Sequence, residues 1–208
     1  MGSRSRCGVL AVTFLLALFV GREAWAGPPT DQLKSQIDRV LKVVEDPELK
    51  KDSRGKERRA AVRKIANDIF DFAETAKRSL GRHWVSRTPA EREEFVRLFT
   101  DLLERSYVSR IEVYGGEHIS YVSESIDGDQ ATVRTKIVTK QETEVPIEYR
   151  LLRRSERWLV YDVVIEGVSL VSNYRTQFNK IVQTASYQEL VKKMKTKQEE
   201  FLQRTPQN

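Results

Sequence analysis

Residues 161–178 read YDVVIEGVSLVSNYRTQF, and the fold turns on how they are read. Tyr161 to Ile165 alternates like a strand, Glu166-Gly167 breaks it, and a helical pattern follows at once. A strand that must send a helix back over its own sheet needs a sharp reversal, and Gly167 tolerates backbone angles closed to other residues. Ser169 is placed to accept from the free amides of the next helical turn. A second role is open to it: a helix start offers amides and a positive dipole end to an anion. Arg175, one helical step on, is placed either to assist there or to pair with Glu166.

Upstream of this junction the pattern has period two. His118–Ser125, Ala131–Lys140, Val145–Arg153 and Trp158–Ile165 read as four strands, with turns at Asp127-Gly128-Asp129 and Arg154–Arg157. One parity is apolar: Ile119, Tyr121, Val133, Ile137, Val145, Ile147, Tyr149, Leu151, Leu159, Tyr161, Val163 and Ile165. The other carries Arg134, Lys136, Lys140, Glu148 and Arg150. The meander therefore has one greasy and one wet face, and the same parity points Asp162 and His118 outward. The last strand is apolar on both sides, so something covers its back.

Before the meander the period is helical. Thr30–Glu45 has Leu33, Ile37, Val40, Leu41 and Val44 in register, with Thr30 as its cap. Glu57–Leu80 reads as one continuous helix ended by Gly81, with Val62, Ile65, Ile69, Phe72 and Ala76 on its buried stripe. Thr88-Pro89-Ala90-Glu91 is a capping box, and its helix runs to about Gly115-Gly116. After the junction, a helix opened by Ser169 or Ser172 runs to about Ala185. Ser186 with Glu189 caps a final one, and the polar tail from Lys195 is expected to fray unless Phe201 anchors it.

Residues 1–26 stand apart. Arg4 and Arg6 precede an apolar run of 14 residues, Cys7–Val20, and Ala24-Trp25-Ala26 is a small-x-small cleavage site. This is an export signal, too short for a comfortable membrane span. Its removal leaves 27–208, read as one domain: a helical part 27–116, the sheet 117–166 and the C-terminal helices 167–208. Cys7 leaves with the signal, which excludes disulfides, thiolate nucleophiles and cysteine metal sites. Three cations and one anion also leave, taking the net charge from +6 to +4. That charge is mixed along the chain, so nucleic acid is not implied.

Catalytic motifs are lacking. His83 and His118 are in no metal-ligand spacing, no phosphate loop is present, and Gly167-Val168-Ser169-Leu170-Val171 lacks the last glycine of a nucleophile elbow. Paired carboxylates such as Glu93-Glu94 sit on polar faces. The reading is of a non-enzyme.

The run Trp158-x-x-Tyr161-Asp162-Val163-x-x-x-Glu166-Gly167-Val168-Ser169-Leu170-Val171-x-Asn173-Tyr174-Arg175-x-Gln177-Phe178 resembles the signature of the MlaC, or toluene-tolerance, family. Phe70-Asp71-Phe72, Leu80-Gly81-x-x-Trp84, Thr88-Pro89-Ala90-Glu91-Arg92-x-x-Phe95 and Leu103-x-x-x-Tyr107 agree with it. Glu91 stands where the family usually has Gln, which leaves the capping argument unchanged. The resemblance implies an α+β fold, a curved four-stranded antiparallel sheet like the nuclear-transport-factor cone, wrapped by about five helices around a hydrophobic pocket. It implies a periplasmic phospholipid carrier without a cofactor, and a monomer is expected. Its implied partners are an inner-membrane ABC transporter with a ring of MCE domains and an outer-membrane lipoprotein complex. Such a carrier has a large task, because two acyl chains of roughly 14 CH₂ groups each represent on the order of 20 kcal/mol of burial, an upper bound.

Position then selects the candidate pocket: Phe70, Phe99, Leu103, Tyr107, Ile111, Ile147, Tyr149, Leu151, Tyr161, Val163 and Val168. The tyrosines suit it because a phenol meets a polar group while its ring packs on the chains. Ser169, Tyr174 and Arg175 are candidates for the head-group rim, with packing of helix on sheet the other role open to Tyr174. Competing readings are a carrier of a hopanoid, terpenoid or fatty acid, an exported enzyme on a similar cone, and a protein with a solid core.

Overall fold

The computed structural model describes residues 28–112 and 115–204; the export signal expected at residues 1–26 lies outside them. Among the described residues, six α-helices and a five-stranded antiparallel sheet make an α+β fold. The helices are α1 (Pro29–Glu45), α2 (Gly55–Ile69), α3 (Phe72–Leu80), α4 (Pro89–Glu112), α5 (Leu170–Thr184) and α6 (Tyr187–Arg204). The strands are β1 (His118–Asp127), β2 (Gln130–Val138), β3 (Glu144–Arg154), β4 (Arg157–Ile165) and β5 (Val168–Ser169), and they lie in sequence order across the sheet.

The fifth strand was not expected. Glu166 and Gly167 both take positive φ, 49° and 81°, which makes a tight reversal and lets Val168 and Ser169 pair back onto Ile165 and Val164. Only then does α5 begin, with Ser169 as its N-cap accepting from the Ser172 amide at 3.0 Å.

The long helix expected over Glu57–Leu80 is two helices. Phe70 turns to extended geometry (φ −99°, ψ 140°) and bridges Val160 of β4 in parallel. The Asp71 amide donates to Val160 O at 2.9 Å, and the Asp71 carboxylate caps α3 through the Glu74 amide, also at 2.9 Å. Arg154 clamps Asp71 at 2.8 Å. A sheet bond thus replaces one helical bond, and a new cap restarts the helix. Thr30 does not cap α1, whose first turn is opened by Pro28 and Pro29; Thr30 instead hydrogen-bonds Glu124 of β1 through both its amide and its hydroxyl.

Thr88 and Glu91 do form the reciprocal box, at 3.2 and 2.8 Å. Ser186 accepts from the Glu189 amide at 3.1 Å. The helix it opens, α6, continues well past Lys195, and the Arg105 guanidinium lies over the Phe201 ring.

The parity of β4 needs correction. Leu151 opposes Val160 but Arg150 opposes Asp162, so Tyr161 is an inserted residue, a bulge. A bulge shifts the alternation by one. Val160, not Leu159, therefore shares the apolar face with Leu151 and Ala131. A second irregularity in β1 sits between Tyr121 and Ser123.

The interior falls into two clusters. One lies among helices: Ala76, Leu80, Phe95, Leu98, Phe99, Leu103, Phe178, Tyr187, Leu190, Val191 and Met194. The other lies between the sheet and its covering helices α1 and α2: Leu33, Ile65, Ile69, Ala131, Val133, Leu151, Trp158 and Val160. Each buries side chains to below a tenth of their surface, the range in which a Leu or Phe contributes about 1.5–3 kcal/mol.

Candidate functional site

The candidate pocket residues divide between these clusters. Phe99 and Leu103 are buried members of the helical one, and Tyr107 packs half-buried against it. Leu151 is a buried member of the sheet cluster, against which Phe70, Tyr149 and Val163 pack. Ile147, 9% exposed, shares their sheet face, since it opposes Thr135 on one side and Ile165 on the other. Ile111, near the end of α4, is half-buried. Two walls therefore carry the set, one on α4 and one on the sheet.

The walls are joined at particular points. Phe70 of the sheet side stacks on Phe72 of the helical side, with ring centroids 5.4 Å apart. Arg63 of α2 meets Glu104 of α4 at 2.7 Å. Burial pushes the Glu104 carboxyl pKa up, and the nearby Arg63 cation only partly opposes this.

Two candidates stand elsewhere. Val168 is 62% exposed at the strand end, so its side chain is not enclosed by the protein. Tyr161 is buried at the bulge beneath α3: the Arg78 guanidinium lies 4.1 Å over its ring, and its carbonyl accepts from the Thr75 hydroxyl at 2.9 Å.

The rim trio is held by the fold itself. Ser169 caps α5 and donates to Asp162 at 2.7 Å. Tyr174 packs edge-on against Phe99 at 4.9 Å, and burial, then the neighbouring Tyr107, raises its hydroxyl pKa. Arg175 does not reach for Glu166; its Nε donates to the Arg78 carbonyl at 2.8 Å, and its aliphatic stem covers Gly81 at the end of α3.

Sequence reasoning missed Asp162. It lies on the face opposite Tyr149, as parity required, yet it is only 3% exposed. It accepts from Ser169 Oγ at 2.7 Å, from the Val171 amide at 3.0 Å and from Arg150 at 3.2 Å. A carboxylate inside the apolar run Tyr161–Ile165 was the available signal. Thr135 was also passed over. It occupies the apolar parity between Val133 and Ile137, is 2% exposed, and its hydroxyl has no hydrogen-bond partner among the described residues.

A cleft of about 330 Å³ lies between α1, the end of α2 and the β3–β4 hairpin. Leu33, Ile69, Leu151, Trp158 and Val160 line its floor, and Gln32, Asp68 and Arg157 its mouth. Among the described residues no group of three or more His, Cys, Asp or Glu side chains is arranged to hold a metal. No helix among them is long and apolar enough to cross a membrane.

Helices laid over an open antiparallel sheet in this order define a known class of fold. The chain superposes with a TM-score of 0.71 on the solved structure of a phospholipid-binding protein from Ralstonia solanacearum in complex with a phospholipid. The likeness spans 81% of this chain and 96% of that one at 23% identity. The MlaC protein family model matches residues 34–196, and the chain belongs to that family. It is also similar to the intermembrane phospholipid transport system binding protein MlaC of Haemophilus influenzae, 26% identical over 138 residues. That match covers 62% of this chain and 64% of the relative, so the chain spans somewhat under two thirds of the relative's length.

Proposed function

We propose that the protein is an exported phospholipid-binding protein that carries lipid through the periplasm as the soluble component of an intermembrane transport system. The observation that carries this reading is the family match over residues 34–196, joined to a fold shared with a protein solved in complex with a phospholipid. The split interior supports it. Acyl chains inserted between the α4 wall (Phe99, Leu103, Tyr107, Ile111) and the sheet wall (Phe70, Ile147, Tyr149, Leu151, Val163) would exchange water for apolar side chains on both sides. The Phe70–Phe72 stack and the Arg63–Glu104 pair are among the contacts that an inserted chain would have to part. The head group stays at the mouth of this seam, and Arg175 is the charged member of the rim candidates.

In this reading the protein is a monomer without a cofactor, sent out by the signal at residues 1–26. It receives lipid from, or delivers it to, an outer-membrane lipoprotein complex and an inner-membrane ABC transporter bearing MCE domains.

Native mass spectrometry of the protein, gently purified from the periplasm, tests the proposal. The expected spectrum shows a one-to-one adduct with the mass of a phospholipid. Protein that carries no lipid and takes none from liposomes would refute it. A hopanoid, terpenoid or fatty acid in the adduct would keep the carrier and change its cargo.

A further inference from the structure

The register of β1, β2 and β3 gathers three hydroxyl groups on the covered apolar face. Tyr121 stands directly across from Thr135. Tyr149 opposes Val133, one pleat from Thr135 on the same face. Around them the face is Val133, Ile137, Ile147 and Leu151.

Two of these hydroxyls are orphans. Tyr121 Oη and Thr135 Oγ1 are both buried, and neither has a hydrogen-bond partner among the described residues. Tyr149 lies close enough to Thr135 for the threonine to oppose, weakly, the rise that burial causes in its pKa, to about 12. It does not reach hydrogen-bond geometry with Thr135 Oγ1. Buried hydroxyls in folded proteins are almost always satisfied, and leaving one unpaired forfeits the hydrogen bonds it made to water. A valine and a phenylalanine would fill the same space without that loss. Acyl chains cannot supply the missing partner, because they are hydrocarbon.

We propose that the Tyr121, Thr135 and Tyr149 hydroxyls form a donor cluster for an ester carbonyl of the bound lipid, the group that joins an acyl chain to its glycerol. This rests on the lipid-carrier reading and names the part of the lipid that the sheet wall recognises. Charge decides between the lipid's acceptor groups. The Lys34 ammonium lies 6.0 Å over the Tyr121 ring, and Asp38, also on α1, acts on the Tyr121 hydroxyl from nearby. Cation and anion offset one another, so a phosphate buried here would be left without net compensation. A carbonyl brings no charge, has two lone pairs and accepts from two donors at once. Burial also raises the pKa of both tyrosines, so they remain protonated donors throughout the neutral range.

The test compares two probes that differ only in their two ester carbonyls. Purified protein is offered vesicles of diester phosphatidylglycerol, or of the dialkyl ether analogue with chains of equal length, and retained lipid is quantified. A hydrogen bond of ordinary net strength predicts that the wild type holds the diester roughly two- to tenfold better. Thr135→Val and Tyr121→Phe should each bring that ratio towards one, whereas Thr135→Ser, which keeps the hydroxyl, should preserve it. Should Thr135→Val fail to fold, Tyr121→Phe still decides, since it removes a single oxygen. Equal retention of the two lipids by the wild type overturns this inference and leaves the carrier intact. Retention of neither overturns both.

Discussion

Asp162→Ala is the most informative single perturbation, because three donors from three elements converge on that one carboxylate. The Val171 amide is in the first turn of α5, Ser169 Oγ is its cap, and Arg150 comes from β3. Truncation leaves the Val171 N–H buried and unpaired, which costs about 1–3 kcal/mol. Ser169 is half-buried and keeps its bond from Ser172, so its loss is closer to 1 kcal/mol. The Arg150 side chain is 39% exposed and also bonded to Glu148, so water replaces most of what it loses, well under 1 kcal/mol. The total is about 2–4 kcal/mol. At about 2–4 °C per kcal/mol for a chain of this size, melting followed by circular dichroism should fall by about 5–15 °C. Amide exchange at Val171 should accelerate. Because α5 also carries Tyr174 and Phe178 into the helical cluster, loosening its start should weaken lipid retention as well. An Asp162→Ala protein that melts within about 1 °C of the wild type, with Val171 as protected as before, would refute the claim that this carboxylate holds α5 to the sheet.

Gly167→Ala should cost about 1–2 kcal/mol, because a side chain is penalised at φ +81° even though nothing crowds the position. Gly55→Ala should by contrast add about 0.4–1 kcal/mol, since that residue is helical and an added Cβ would meet only the flexible end of Arg59 at 3.5 Å; urea titration of the two variants checks both signs. Glu91→Ala should show a pH-dependent loss. The Thr88 amide, then Arg87, holds the Glu91 carboxyl below its ordinary range, so its contribution is fully present above the unfolded value of about 4.3 and disappears as pH falls through the lowered folded value. Wild-type and Glu91→Ala melting curves should therefore converge in acid, and a gap that stays constant down the whole titration would contradict the box.

Much of this architecture was legible in residue order. The Thr88–Glu91 box, the Ser169 cap and the reversal at Gly167 are local devices whose partners lie within four residues, and each formed where expected. The break at Phe70-Asp71 was legible in part: Asp followed three residues later by Glu is itself a start signal, hidden inside a continuous helical stripe. What it lacked was the other half, Val160 O, 89 positions on, which takes up the Asp71 amide. The bulge at Tyr161 was not legible, because an apolar residue on either face of β4 is equally acceptable when both faces are covered.

Order of residues alone determined most of the helical and strand segments, where many of them start and stop, and which face of the first three strands is greasy, because these follow from periodicity and from groups that bond to near neighbours. Tertiary structure alone decided that one helix becomes two, that Asp162 is an anchor and Arg175 a brace, and that the apolar interior is divided in two with unpaired hydroxyls on one wall. Those outcomes depend on distances between residues far apart in the chain. A pattern of apolar and polar positions records what a side chain avoids, and it carries no record of what the side chain meets.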